Sequence, residues 1–137
     1  MVFQWENELE KFAVPFLEHM QFQYCWQVPL HNRVIDLAAI DKRGKLYGIE
    51  FKLKDWKRAL KQAIKNSNAF DYVYVCLPGG KYLNRLIQSA EEQGVGVMVF
   101  DEKIGTVKIE LPARKITKQW KPNVEYIRNY LHQGGIH

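Results

Sequence analysis

Apolar positions interrupted by single charged ones run along residues 33–41 and again along 45–53, and Lys42-Arg43-Gly44 separates the two runs. Short apolar runs bounded by a turn predict two strands, and a three-residue loop ending in glycine predicts a hairpin with that glycine in the left-handed conformation. Pairing Asp41 with Lys45 sets Ile40 opposite Leu46, Ala38 opposite Gly48 and Asp36 opposite Glu50. Tyr47, Ile49, Phe51 and Leu53 then point to one face, predicted as core, while Asp36, Glu50 and Lys52 share the other, predicted to be left for chemistry.

Helical spacing appears in four other places. Trp5, Leu9, Phe12 and Phe16 form a stripe within residues 3–20, where Pro15 predicts a kink or break. Trp56, Ala59, Leu60, Ala63 and Ile64 recur through Asn66 behind Asp55, a predicted N-cap. Leu83, Leu86, Ile87 and Ala90 mark residues 81–93, which Gly94 should end, and Val124, Tyr126, Ile127, Tyr130 and Leu131 follow Pro122. Apolar runs at 22–28, 72–77, 95–100 and 106–111 predict four further strands, the first followed by a turn over Pro29-Leu-His-Asn32. The order α-β-β-β-α-β-α-β-β-α predicts a single α/β domain over residues 1–137, a mixed sheet flanked by helices.

The chemistry concentrates on the hairpin, in a D-x13-E-x-K spacing. Like charges directly opposite on a sheet destabilise it by some tenths to about 1 kcal/mol, and a cation reverses that sign. Mg²⁺ takes hard oxygen ligands, commonly one or two carboxylates with water and substrate phosphate, which suits Asp36 and Glu50. Ala38 and Gly48, small and on the same face, are expected to leave room for it. The plain alternative is an ordinary cross-strand ion pair on a solvated face.

Charge sharpens the picture through its placement. The chain has 20 basic and 15 acidic residues, net +5, and Lys52, Lys54, Lys57, Arg58, Lys61 and Lys65 face only Asp55 over that stretch. A basic helix face directly after E-x-K is a candidate phosphate-binding surface. Cys25 and Cys76 lie in apolar runs without metal-ligand spacing, which predicts buried free thiols in a reducing compartment. With no signal peptide and no apolar run near the ~18 residues that span a bilayer, an intracellular, cytoplasmic protein is expected. Gly134-Gly135 is expected to be a frayed terminus. His31 reads as a surface turn residue, Gly79-Gly80 lacks the partners of a phosphate loop, and Trp120 among basic residues is a candidate stacking surface.

On these residues the chain resembles the PD-(D/E)xK nuclease superfamily, the restriction-endonuclease-like fold. The likeness covers residues 3–77: a helix, a three-stranded meander, a crossover helix and a strand, with Asp36 on the second core strand and Glu50-Phe51-Lys52 on the third. The resemblance implies an αβββαβ core with C-terminal α/β additions, and a Mg²⁺- or Mn²⁺-dependent hydrolase of DNA phosphodiesters acting in repair, recombination, restriction or a mobile element. It implies Asp36, Glu50 and the Phe51 backbone carbonyl as metal ligands, and Lys52 as a group that orients water or stabilises the transition state. It also implies a first-helix carboxylate that completes the site directly or through water; Glu8 is expected to fill that place, with Glu10 pointing away. DNA contacts are expected from Arg33, Lys54, Lys57, Arg58, Lys61, Gln62 and Lys65. Ile35 stands where proline often precedes the aspartate, and the spacing after Gln62 departs from the Q-x-x-x-Y of one branch. The alternatives are a non-catalytic nucleic-acid-binding member of the fold, or an assembly or homodimer module with a vestigial site.

Overall fold

A computed structural model of the chain describes residues 2–133, and the Gly134-Gly135 tail lies outside them. In chain order the elements are α1 (Glu6–His19), β1 (Gln23–Leu30), β2 (Arg33–Ile40), β3 (Leu46–Phe51), α2 (Trp56–Asn66), β4 (Tyr72–Leu77), α3 (Leu83–Gln93), β5 (Gly96–Asp101), β6 (Thr106–Leu111) and α4 (Lys121–His132), with a 3-10 turn at Ser67–Ala69. The six strands form one mixed sheet whose spatial order is the chain order. β3–β4 and β4–β5 are parallel, and the other neighbours are antiparallel. Parallel neighbours need crossover connections, which α2 and α3 supply.

Two apolar layers hold the helices to the sheet. Leu9, Ala13 and Leu17 of α1 pack with Leu37, Ile49, Phe51, Tyr74 and Met98 on one face. Residues of α2, α3 and α4, among them Ala63, Leu86 and Ile127, pack with Ala38, Leu46, Val73, Val75 and Val97 on the other. β4 is apolar along its length because both of its faces are covered. Cys25 and Cys76 are buried free thiols, and burial pushes both above the usual thiol range. Among the described residues no helix is long and apolar enough to cross a membrane.

The hairpin forms in the expected register, with Ile40 facing Leu46 and Ala38 facing Gly48. Gly44 takes φ +85°, and the Asp41 side chain ties the loop by accepting the N–H of Arg43 and of Lys45, each at 2.9 Å. Three expectations are corrected. The face carrying Ala38 and Gly48 is core rather than open: the Phe70 ring fills the space over Gly48, where an added methyl would stand 2.7 Å from it. β1 continues through Pro29 to Leu30, so the turn shrinks to His31-Asn32, with His31 at φ +59° supplying the left-handed step of a tight hairpin. α1 runs unbroken through Pro15, and its buried line is Leu9, Ala13 and Leu17, while Trp5 is 67% exposed.

Candidate functional site

Where β1, β2 and β3 pass between α1 and α2, the alternation of side chains slips. Leu37 and Ala39 face α1, and Ala38 and Ile40 face α2; continued regularly, Ile35 would face α1, yet it joins the α2 layer. β1 slips at the matching place, since Tyr24 lies in the α1 layer but Val28 and Leu30 lie in the other. Between the pairs Trp26–Leu37 and Val28–Ile35 stand Gln27 and Asp36, and Gln27 holds φ +55°. A non-glycine residue in the left-handed region inside a strand is strained backbone of the kind found at functional sites.

Past Leu37–Ile49 the β2–β3 ladder is closed by side chains instead of carbonyls. The Asp36 N–H donates to Glu50 Oε2 at 3.2 Å, and the Phe51 N–H donates to Asp36 Oδ2 at 2.8 Å. Each carboxyl thus bonds the backbone of the other's strand. Glu50 is only 3% exposed and also accepts from Asn66 Nδ2 at 3.3 Å. Asn66, at the end of α2, is held in turn by Arg33 Nε at 2.6 Å, and Arg33 Nη2 donates to the Lys65 carbonyl at 3.1 Å. An Arg33–Asn66–Glu50 chain therefore fixes the carboxyl from the α2 side.

From the α1 side come Glu6 and Glu10. Lys52 Nζ lies 3.6 Å from Glu6 Oε2. Burial first, then the Asp36 and Glu6 charges, push the Glu10 carboxyl up to about 7. Burial and the Asp36 charge push Glu50 up to about 8, against the pull of the Asp36 N–H and Lys52. Asp36 is raised as well, chiefly by burial, while the Phe51 N–H and Lys52 oppose the rise. The Asp36 charge thus favours the protonated form of Glu50, and the two carboxyls titrate as a linked pair.

Glu8 does not take the place expected of it. Its Oε1 accepts the N–H of Gln4 at 2.7 Å and of Trp5 at 2.8 Å, satisfying the first turn of α1. Glu10, expected to point away, and Glu6 are the α1 carboxylates that interact with Asp36. On α2, Lys57, Arg58, Lys61 and Lys65 are exposed, as is Lys54 before it, and Asp55 caps the helix by accepting the Arg58 N–H at 3.1 Å. Gln62 Oε1 is buried without a hydrogen-bond partner among the described residues. Sequence reading missed Asn66 and Gln27, which no motif marks, and it assigned Arg33 to phosphate although its guanidinium grips α2. Among the described residues no three of His, Cys, Asp and Glu converge as a metal-binding group.

No protein-family model matches the chain, and no curated protein does. Among solved structures it is similar to the SPO1766 protein of unknown function from Silicibacter pomeroyi, with a TM-score of 0.74 and 13% identity over 97% of this chain and 87% of that one. A repair endonuclease from Pyrococcus abyssi matches with a TM-score of 0.47 and 14% identity, over 74% of this chain and 49% of that one. The first likeness shows a shared fold, and the second is too slight to carry an argument. Chemistry rests on the residues themselves.

Proposed function

We propose that the chain is a metal-dependent nuclease of the PD-(D/E)xK type that hydrolyses DNA phosphodiester bonds at Asp36, Glu50 and Lys52. One observation carries the reading: two carboxyls from adjacent strands, each accepting a backbone N–H of the other's strand, stand together within reach of the Lys52 charge. A core has little use for a buried carboxyl pair, which burial and mutual repulsion both penalise.

The donor set suits a small divalent cation. Asp36 Oδ2 and Glu50 Oε2 are held by N–H groups, which leaves one hard oxygen on each carboxyl for Mg²⁺ or Mn²⁺. When bound, the ion would polarise a phosphate oxygen and make its water more acidic. Lys52 is a compact cation whose charge already acts on both carboxyls, so it would orient the attacking water or steady the charge that develops on phosphorus oxygens. Glu10 replaces Glu8 in this reading as the first-helix carboxylate, poised near neutrality to take a proton from that water. The Phe51 carbonyl remains a proposed ligand by resemblance. Lys54, Lys57, Arg58, Lys61 and Lys65 would hold backbone phosphates, with Gln62 beside them.

The rival reading, a nucleic-acid-binding or assembly module without catalysis, draws support from the lack of a three-residue ligand group among the described residues. A cleavage panel separates the two: duplex, single-stranded and branched DNA and RNA, each with Mg²⁺, Mn²⁺ or chelator. Metal-dependent cleavage should fall on the order of a hundredfold in Lys52→Ala, with binding retained. Cleavage that survives Asp36→Asn would refute the site, and binding without cleavage of any substrate would favour the rival.

A further inference from the structure

The apolar stripe of α2 is not wholly covered by the core. Trp56, Leu60 and Ile64 stand one turn apart and form an apolar ridge in a cleft of about 360 Å³ against Ser89 of α3, with Lys57 and Lys61 at its rim. Ile64 is 39% exposed, and Lys57 Nζ lies 5.7 Å from the centre of the Trp56 ring. Ile64 also lines a second cleft of about 280 Å³, where Arg114, Lys115 and Lys118 lie across from α2. Lys115 is committed to Asp71 at 3.1 Å, whereas Lys57, Lys61 and Lys118 make no ion pair among the described residues. The two clefts share Ile64 and form one track lined by apolar and cationic side chains.

We propose that this track binds single-stranded nucleic acid, and thus that the substrate is an unpaired strand or a duplex with an unpaired arm. The proposal deepens the nuclease reading and rests on it for its enzymatic meaning. A duplex turns phosphates outward and stacks its bases inside, so the apolar ridge would find no partner on it. An unpaired strand offers both chemistries, base faces for Trp56 and Ile64 and phosphates for the lysines beside them. An acidic amphipathic peptide would meet the same charges but would bring no flat base to stack on Trp56, and it is the competing occupant in the test.

Binding of the full chain in chelator tests this apart from cleavage, using fluorescence anisotropy with labelled oligodeoxythymidine of about 12 nucleotides and a duplex of equal length. The single strand should bind at least about tenfold tighter. Ile64→Ser should lower its affinity about fivefold or more, as loss of a stacking surface does, and leave duplex binding unchanged. Lys61→Gln, an exposed change that spares the apolar ridge, should weaken single-strand binding and reduce its log–log salt slope by about 0.7. Equal affinity for the two forms, duplex preference, or an unchanged Ile64→Ser would overturn the proposal, as would tighter binding of a Glu-Leu repeat peptide at the same ridge. Single-strand preference without cleavage of any substrate would instead fail the nuclease reading and leave the track standing.

Discussion

At Asp36 and Glu50 two ladder hydrogen bonds are made by carboxyls, and this ties protonation to stability. Glu50 keeps its proton up to about pH 8, whereas an unperturbed glutamate loses it near 4.5. Between those values the unfolded chain releases a proton that the folded chain retains, so metal-free stability should fall as pH rises from about 4.5 to about 8 and then level off. Thermal unfolding in chelator should therefore show a midpoint higher at pH 5.5 than at pH 8, by on the order of 5 °C. Glu50→Gln keeps the acceptor for the Asp36 N–H and removes its titration, so the fall between about pH 7 and 8 should vanish while the part due to Glu10, raised to about 7, remains; parallel profiles would contradict the Glu50 shift. The α1 carboxylates supply a second contrast. Glu8→Gln still accepts the Gln4 and Trp5 N–H groups and should leave cleavage within about twofold, while Glu10→Gln should lower it roughly tenfold or more. Sequence alone misplaced this pair because the large residues Trp5, Phe12 and Phe16 drew the helix stripe toward themselves. The buried line is set by small Ala13 with Leu17, and Glu10 and Glu6 continue it at helical spacing.

The hairpin, the cap at Asp55 and the stop at Gly94 were legible because local rules govern each one: short apolar runs with a glycine loop, a short polar side chain before an apolar run, a residue free to take φ +75°. Gln27 was not legible, since nothing about a glutamine announces a left-handed residue in a strand; only packing on both sides of the sheet demands it. α2 shows both cases within one element. Its exposed lysines were readable from spacing, but Asn66 was not, because its partners come from β2 and β3. This division predicts different outcomes for residues of like charge. Lys57→Ala and Lys61→Ala should each lower the slope of log K against log salt, by about 0.9 on duplex DNA. Arg33→Lys should leave that slope unchanged and instead cost about 1 kcal/mol of stability, because a lysine cannot reproduce the fork that joins Asn66 to the Lys65 carbonyl. A slope reduced in Arg33→Lys as in Lys57→Ala would show that Arg33 meets phosphate after all.

For the whole molecule, the order of elements was enough to read a mixed sheet with helices on both faces, since parallel neighbours require crossovers. What covers the hairpin could not be read: the room expected above Gly48 belongs to Phe70, which is 22 residues further along the chain and arrives only when α2 has turned back over the sheet. Glu50 therefore sits at the end of a core rather than on an open face, and Asp36 is the less buried of the two carboxyls. That arrangement links metal affinity to pH. An ion bound by both carboxyls must displace the proton that Glu50 holds, so affinity should rise by up to about tenfold per pH unit until Glu50 has ionised near pH 8. A ligand that binds only the folded chain stabilises it by RT ln(1 + [L]/Kd), about 2.7 kcal/mol at a hundredfold excess over Kd. Added Mg²⁺ or Mn²⁺ should thus raise the unfolding midpoint by several degrees at pH 8 and by much less at pH 6, opposing the loss of stability seen in chelator. Asp36→Asn should abolish the metal increment at both values. If the midpoint of the parent protein is indifferent to either ion at pH 8, the carboxyl pair is a splint for the strained strands and nothing more.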